Sequence, residues 1–182
     1  MKKFLLALML GAFALTNAFA RPLPEIVTRD LMGLRAQGQA TMRFFGLKVY
    51  DVYLWTAQEK HAASEPFALH LIYDMSLSGK DIAERSVGEM RKQGHKDEEK
   101  LKRWGAEMAR IFPDIKKGDS LIGLSLPGKE VRFYSREKMI AAVADTEFAS
   151  AFFDIWLSEK TSEPALREKL FGATKDKVKA TD

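Results

Sequence analysis

The sequence predicts an α+β fold: one domain built on a largely antiparallel sheet, with its helices gathered on one face. Three observations lead there. The hydrophobic period switches from two to 3.6 and back, giving strands, two helices, strands, two helices. Regular βαβ alternation is absent, which argues against a parallel sheet. Of 182 residues, 46% are hydrophobic and 30% charged, the balance of a folded globular chain.

Residues 1–20, MKKFLLALMLGAFALTNAFA, have the three parts of a secretory leader: two lysines, an apolar run from Phe4 to Leu15, and small residues at Ala18 and Ala20. Cleavage is expected after Ala20. The alternative, an uncleaved anchor, needs roughly 20 apolar residues to cross a bilayer, and this run is shorter. Loss of the leader lowers the formal charge from +4 to +2, which removes the main reason to expect nucleic-acid binding. Export is the expected localisation, to the periplasm in a two-membrane bacterium, with no stable membrane insertion after cleavage. The chain has no cysteine, so disulfides, thiolate metal sites and cysteine nucleophiles are excluded.

Residues 21–25 contain two prolines and read as a mobile lead-in to a domain spanning 21–172. Residues 38–57 are rich in β-branched and aromatic side chains, with Gly46 interrupting, and read as a strand pair or one long bent strand. Simple alternation groups Lys48, Tyr50, Val52 and Leu54 on one face, and Val49, Asp51, Tyr53 and Trp55 on the other. Phe67–Leu77 is a further strand, with Phe67, Leu69, Leu71 and Tyr73 on one side.

Ser78 followed by Asp81 marks a helix start, and the helix runs from about Gly79 to Gln93, where Gly94 ends it. A second helix, about Asp97 to Phe112, aligns Leu101, Trp104, Met108 and Ile111 before Pro113 stops it. Residues 118–134 return to strand character as a hairpin around Pro127-Gly128, a type II turn pair. Residues 138–143 add a short edge strand. Asp145 or Thr146 caps a helix bearing Phe148, Phe152, Ile155 and Trp156, and Ser162 with Pro164 starts a last helix ending near Gly172. Residues 173–182 are a polar tail, expected to be disordered.

Little in the chain has the spacing that catalysis or metal binding requires. His61, His70 and His95 form no i,i+4 pair and lack an acidic cluster, so no metal is expected. Ser125 lacks the second glycine of a nucleophile elbow. No glycine-rich phosphate loop occurs, and no cofactor is expected. Between Arg91 and Arg103 six basic residues are interleaved with Asp97, Glu98 and Glu99; a solvated helix face is the plainer explanation, a docking patch the alternative. The more informative set is Tyr50, Tyr53, Trp55 and Tyr73 on strands, with Arg43, Lys48 and Arg85 as nearby cations. Aromatic walls with one or two cations suit an amphipathic acid or a phenol, with burial for the body and a charge-assisted hydrogen bond for the head. Sheet packing explains strand aromatics equally.

Four segments, residues 45–55 (FGLKVYDVYLW), 78–86 (SGKDIAERS), 116–119 (KKGD) and 152–157 (FFDIWL), resemble the bacterial, exported branch of the chalcone isomerase-like proteins. The resemblance implies an open-faced β-sandwich with a ligand cleft between a large antiparallel sheet and a helical layer. Plant chalcone isomerases of this family are intramolecular lyases that use an arginine and a threonine from the strands and a tyrosine and a lysine on the following helix. Here the helix positions are Ile82 and Arg85, and no threonine lies between Gly46 and Trp55. Non-catalytic relatives bind fatty acids through an arginine and a tyrosine, which implies Arg85 and Tyr50, with Lys48 and Arg43 as further candidates. Three functions follow from the resemblance: a non-catalytic binder of a small amphipathic ligand, an isomerase or lyase using Lys48 or Tyr50, or an envelope scaffold that binds an unknown protein partner with its cleft filled.

Overall fold

A computed structural model describes residues 21–172. The leader and the tail lie outside the described residues. Six strands form one antiparallel sheet in chain order: β1 (Arg35–Phe44), β2 (Leu47–Thr56), β3 (Phe67–Tyr73), β4 (Ser120–Leu126), β5 (Glu130–Tyr134) and β6 (Met139–Val143). Between β3 and β4 the chain makes a helical hairpin, α2 (Gly79–Lys92) and α3 (Glu98–Ile111), and after β6 it adds α4 (Thr146–Leu157) and α5 (Pro164–Leu170). The α+β expectation and the antiparallel sheet hold.

Local chemistry accounts for the helix starts. The side chains of Ser78, Asp97 and Asp145 accept from the backbone N–H three residues on, at 3.0, 3.0 and 2.8 Å, satisfying donors that a helix start leaves free. The Leu126–Lys129 turn closes with a 3.0 Å hydrogen bond from Lys129 N to Leu126 O, and Gly128 has φ of 73°, as the proline–glycine pair predicts. Leu77 and Ile115 exchange two backbone hydrogen bonds, so the helical hairpin leaves and rejoins the sheet side by side.

Helices α2 to α5 cover one face of the sheet. Val52, Leu54, Leu69, Leu71, Leu121, Val131 and Phe133 point into that layer and meet Met90, Leu101, Met108, Phe148 and Phe152 from the helices, the alternation that a two-sided strand requires. The α2 N-terminus is clamped to the loop after α3. The Gly79 N–H donates to Asp114 at 3.0 Å, and a side-chain carbon at Gly79 would run into the Phe112 carbonyl oxygen. Gly79→Ala is therefore expected to cost about 2 kcal/mol or more, seen as a lower urea midpoint with an unchanged slope.

The opposite face is not bare. Residues 21–25, expected to be mobile, instead bury Leu23 and lead into a further helix, α1 (Glu25–Asp30), which packs Val27 against Ala68, Ile122 and Leu124. Asp30 anchors it by accepting from the Tyr134 hydroxyl and from Arg132 at 2.9 Å. These bonds, the Tyr134 one foremost, together with the Arg132 charge hold the Asp30 carboxyl below its ordinary range despite some burial. One expected start also differs. Ser162 does not cap α5, whose N-cap Glu163 makes no side-chain cap; the Ser162 hydroxyl is drawn to Glu89 instead.

Candidate functional site: an apolar cavity between sheet and helices

A cavity of about 420 Å³ lies between the helix-facing side of β1 to β4 and helices α2 and α4, within the range of small-molecule sites. The sheet contributes Met42, Tyr50, Leu69, Leu71, Tyr73 and Leu121. From α2 come Asp81, Ile82, Arg85, Ser86 and Glu89, and from α4 come Phe152, Ile155 and Trp156. Both sets follow helical i,i+3/i+4 spacing, so each helix turns one stripe toward the space. The wall is overwhelmingly apolar.

Its polar groups are few and ordered. Glu89 is 5% exposed and accepts from Arg85 at 2.8 Å, Lys92 at 3.1 Å and Ser162 at 2.6 Å. Burial works to raise its pKa, but the bonds from Ser162 and Lys92 and the charges of Arg85 and Lys92 outweigh it, so the carboxyl sits below its ordinary range. Two cations share one carboxylate, leaving this cluster with a net positive charge. Asp81 and Glu163 also border the cavity, so its lining carries one cation, Arg85, and three carboxylates, and the charges of Glu163 and Glu89 reach Tyr50 as that of Arg85 does.

Tyr50 is the second polar element. Its oxygen accepts from Trp156 Nε1 at 3.0 Å, so its own proton is available for a ligand. Burial pushes its pKa up to about 12, which keeps it a donor at neutral pH. Tyr73 packs edge-on at 5.6 Å and is raised further, again by burial.

Of the four candidate residues, Arg85 and Tyr50 meet at this cavity and Lys48 and Arg43 do not. The reason is a β-bulge. Met42 pairs with Tyr50 while the next residue, Arg43, pairs with Lys48, so Val49 is the extra residue on β2. The bulge turns Lys48 to the outer face, where it binds Asp51 at 2.8 Å. Arg43 stands opposite Lys48 on the same outer face, since directly paired residues share a side. Lys48 thus has no place in the wall as acid, base or ligand group. The sequence reading missed Glu89, Trp156 and Ser162. Arg85 and Glu89 at i,i+4 was a legible pair; Ser162 gave no signal because it arrives from 73 residues away in sequence.

A smaller cavity of about 170 Å³ is lined by His61, Ser125, Ser150 and Asp154 among others. It holds the residue types of a triad without the connections. Among the described residues His61 Nδ1 is buried without a partner, and the Asp154 carboxylate accepts only from Ser150, at 3.5 Å. Among the described residues no group of three potential ligands could hold a metal.

The sequence model described as chalcone isomerase-like matches residues 22–172. No curated protein matches. Among solved structures, the crystal structure of an Arabidopsis thaliana fatty-acid binding protein superposes with a TM-score of 0.60 at 11% identity, over 77% of this chain and 87% of that one. At that identity the likeness is one of fold, and it is the same fold derived above, an open antiparallel sheet with a helical layer. With the match running from the first buried residues to the end of α5, the chain belongs to the chalcone isomerase-like family.

Proposed function

We propose that this protein is an exported, non-catalytic member of its family that binds a small amphipathic ligand, with a long-chain fatty acid as the best fit. The observation that carries this reading is the pairing of one largely apolar cavity of about 420 Å³ with one cation and one hydroxyl donor in its wall, Arg85 and Tyr50. Chain methylenes would be buried against Leu69, Leu71, Leu121 and Ile155, each contributing about 0.8 kcal/mol. Arg85 uses one terminal nitrogen on Glu89 and keeps donors for a carboxylate, which a planar guanidinium can grip through two bonds. The fatty-acid binding function of the Arabidopsis structure agrees with this assignment. The leader pattern of residues 1–20 supports export, and a two-membrane host would place the protein in the periplasm.

Against an intramolecular lyase stands the helix side of the wall: the positions that resemble the helix tyrosine and lysine of the family's lyases are Ile82 and Arg85, both lining the cavity, so a hydrocarbon replaces the hydroxyl of that pair.

Titration calorimetry of delipidated protein with a long-chain fatty acid tests the assignment. Wild type should bind; Arg85→Ala should weaken binding by about tenfold or more, the worth of one charge-assisted hydrogen bond, and Arg85→Lys should fall between. Equal affinity for wild type and Arg85→Ala would show that the head group lies elsewhere. No binding by wild type would remove the fatty-acid assignment altogether.

A further inference from the structure

The β1–β2 turn carries a residue that its own backbone disfavours. Phe44 pairs with Leu47, so Phe45 and Gly46 alone connect the strands, and both have positive φ, 46° and 81°. A two-residue hairpin turn of this kind favours Asn-Gly or Asp-Gly, which reach left-handed backbone at low cost. Gly46 conforms. Phe45 is the one non-glycine residue with positive φ among the described residues, and a bulky side chain there is strained. Packing does not offset the strain, because Phe45 is 91% exposed and meets Phe44 edge-on at 4.6 Å. Phe44 and Leu47 beside it are also exposed, so three large apolar side chains project from one hairpin tip.

Just behind the tip, Arg43 and Lys48 face each other across the strands, a like-charge pair that costs stability. Lys48 is relieved by Asp51. Arg43 donates to the Gly46 carbonyl at 3.2 Å and has no carboxylate partner among the described residues. On the inner side, Phe44 forms part of the cavity wall with Arg85 5.9 Å from its ring centre, and the half-exposed Met75 borders the same cavity.

We infer that this tip docks on a lipid membrane: Phe45, Phe44 and Leu47 enter the interfacial layer, Arg43 contacts anionic headgroups, and the cavity is brought to the lipid surface. Strain kept at an exposed apolar residue calls for an occupant outside the chain. Three side chains on a narrow prong fall far short of the roughly 800 Å² per partner that a stable protein interface buries. A bilayer needs no complementary surface, and Arg43, a cation with no carboxylate partner among the described residues, stands next to the apolar tip where anionic headgroups would lie. The contact is interfacial, since no helix among the described residues is long and apolar enough to cross a membrane. Its purpose rests on the ligand assignment, but the docking itself rests on the turn and would hold for an empty cavity.

The test uses Phe45→Asn, which restores the favoured Asn-Gly turn, alone and with Leu47→Ser. Neither residue lines the cavity. Phe45→Asn should unfold at the same or a higher urea midpoint than wild type and bind fatty acid unchanged. Its binding to vesicles of phosphatidylcholine with phosphatidylglycerol should fall severalfold, and that of the double variant at least about tenfold. Arg43→Gln should weaken binding to the same vesicles and flatten its salt dependence, with little effect on phosphatidylcholine alone. Full vesicle binding by the double variant, or none by wild type, would overturn the docking surface, as would a tip substitution that dissociates an oligomer while wild type ignores vesicles. Vesicle binding without fatty-acid binding would instead sink the ligand assignment and leave this one standing.

Discussion

Phe133→Ala should lower the unfolding free energy by about 3–5 kcal/mol. Phe133 is fully buried at the centre of the helix-facing layer. Its ring lies 5.0 Å from Phe112 and 5.1 Å from Phe152, both edge-on, so one side chain joins β5 to the end of α3 and to α4. Its cross-strand partner is Gly123, which has no side chain to move into a void, and neighbours held in a hydrogen-bonded sheet collapse poorly. Truncation therefore leaves an open cavity in addition to the lost burial. Urea unfolding should show the loss as a lower midpoint with an unchanged slope. A cost below about 1 kcal/mol would mean that the aromatic layer repacks freely.

Acidification from pH 6.5 to 4 should remove about 3 kcal/mol of stability through His70 alone. The ring is 3% exposed on the outer face of β3, where Nε2 meets Ser120 Oγ at 3.1 Å and Nδ1 has no partner among the described residues. Burial lowers its pKa from 6.5 to about 4, with the charges of Arg136 and Arg21 adding to the effect. The folded protein thus keeps the ring neutral over a range in which the unfolded chain takes up a proton. Stability from this source is complete above about pH 6.5, declines as the pH falls, and is exhausted near pH 4; the interval between the two values sets the magnitude. His61 is also lowered by burial and acts in the same direction. The decisive comparison is accordingly wild type against His70→Gln, whose stability should fall much less over the same interval. Parallel pH profiles would show that His70 is protonated in the folded state.

Periodicity and capping chemistry made most of the fold legible. The alternation of Phe67, Leu69, Leu71 and Tyr73 placed the inner face of β3, and Ser78, Asp97 and Asp145 marked three helix starts that the structure reproduces. Helix α1 was not legible: six residues show too little period, and Pro22 and Pro24 read as punctuation although Pro24 is the α1 N-cap. In the site, Arg85 and Tyr50 could be read because each sits on a regular element. Lys48 could not, since strict alternation places it beside Tyr50 and only the bulge at Val49 separates them. A one-residue irregularity reverses every face assignment beyond it, and the hydrophobic pattern does not record it. Glu89 and Ser162 meet through tertiary packing between α2 and the approach to α5, which no local spacing encodes.

The most direct test of the ligand cavity is native mass spectrometry of the mature protein purified from its producing cells without delipidation, compared with its denatured mass. The account predicts added mass that is released on denaturation, is identified as a fatty acid or a similar amphiphile, and is depleted in Arg85→Ala. A clean unliganded mass, with no shift after incubation with long-chain fatty acids, would contradict it.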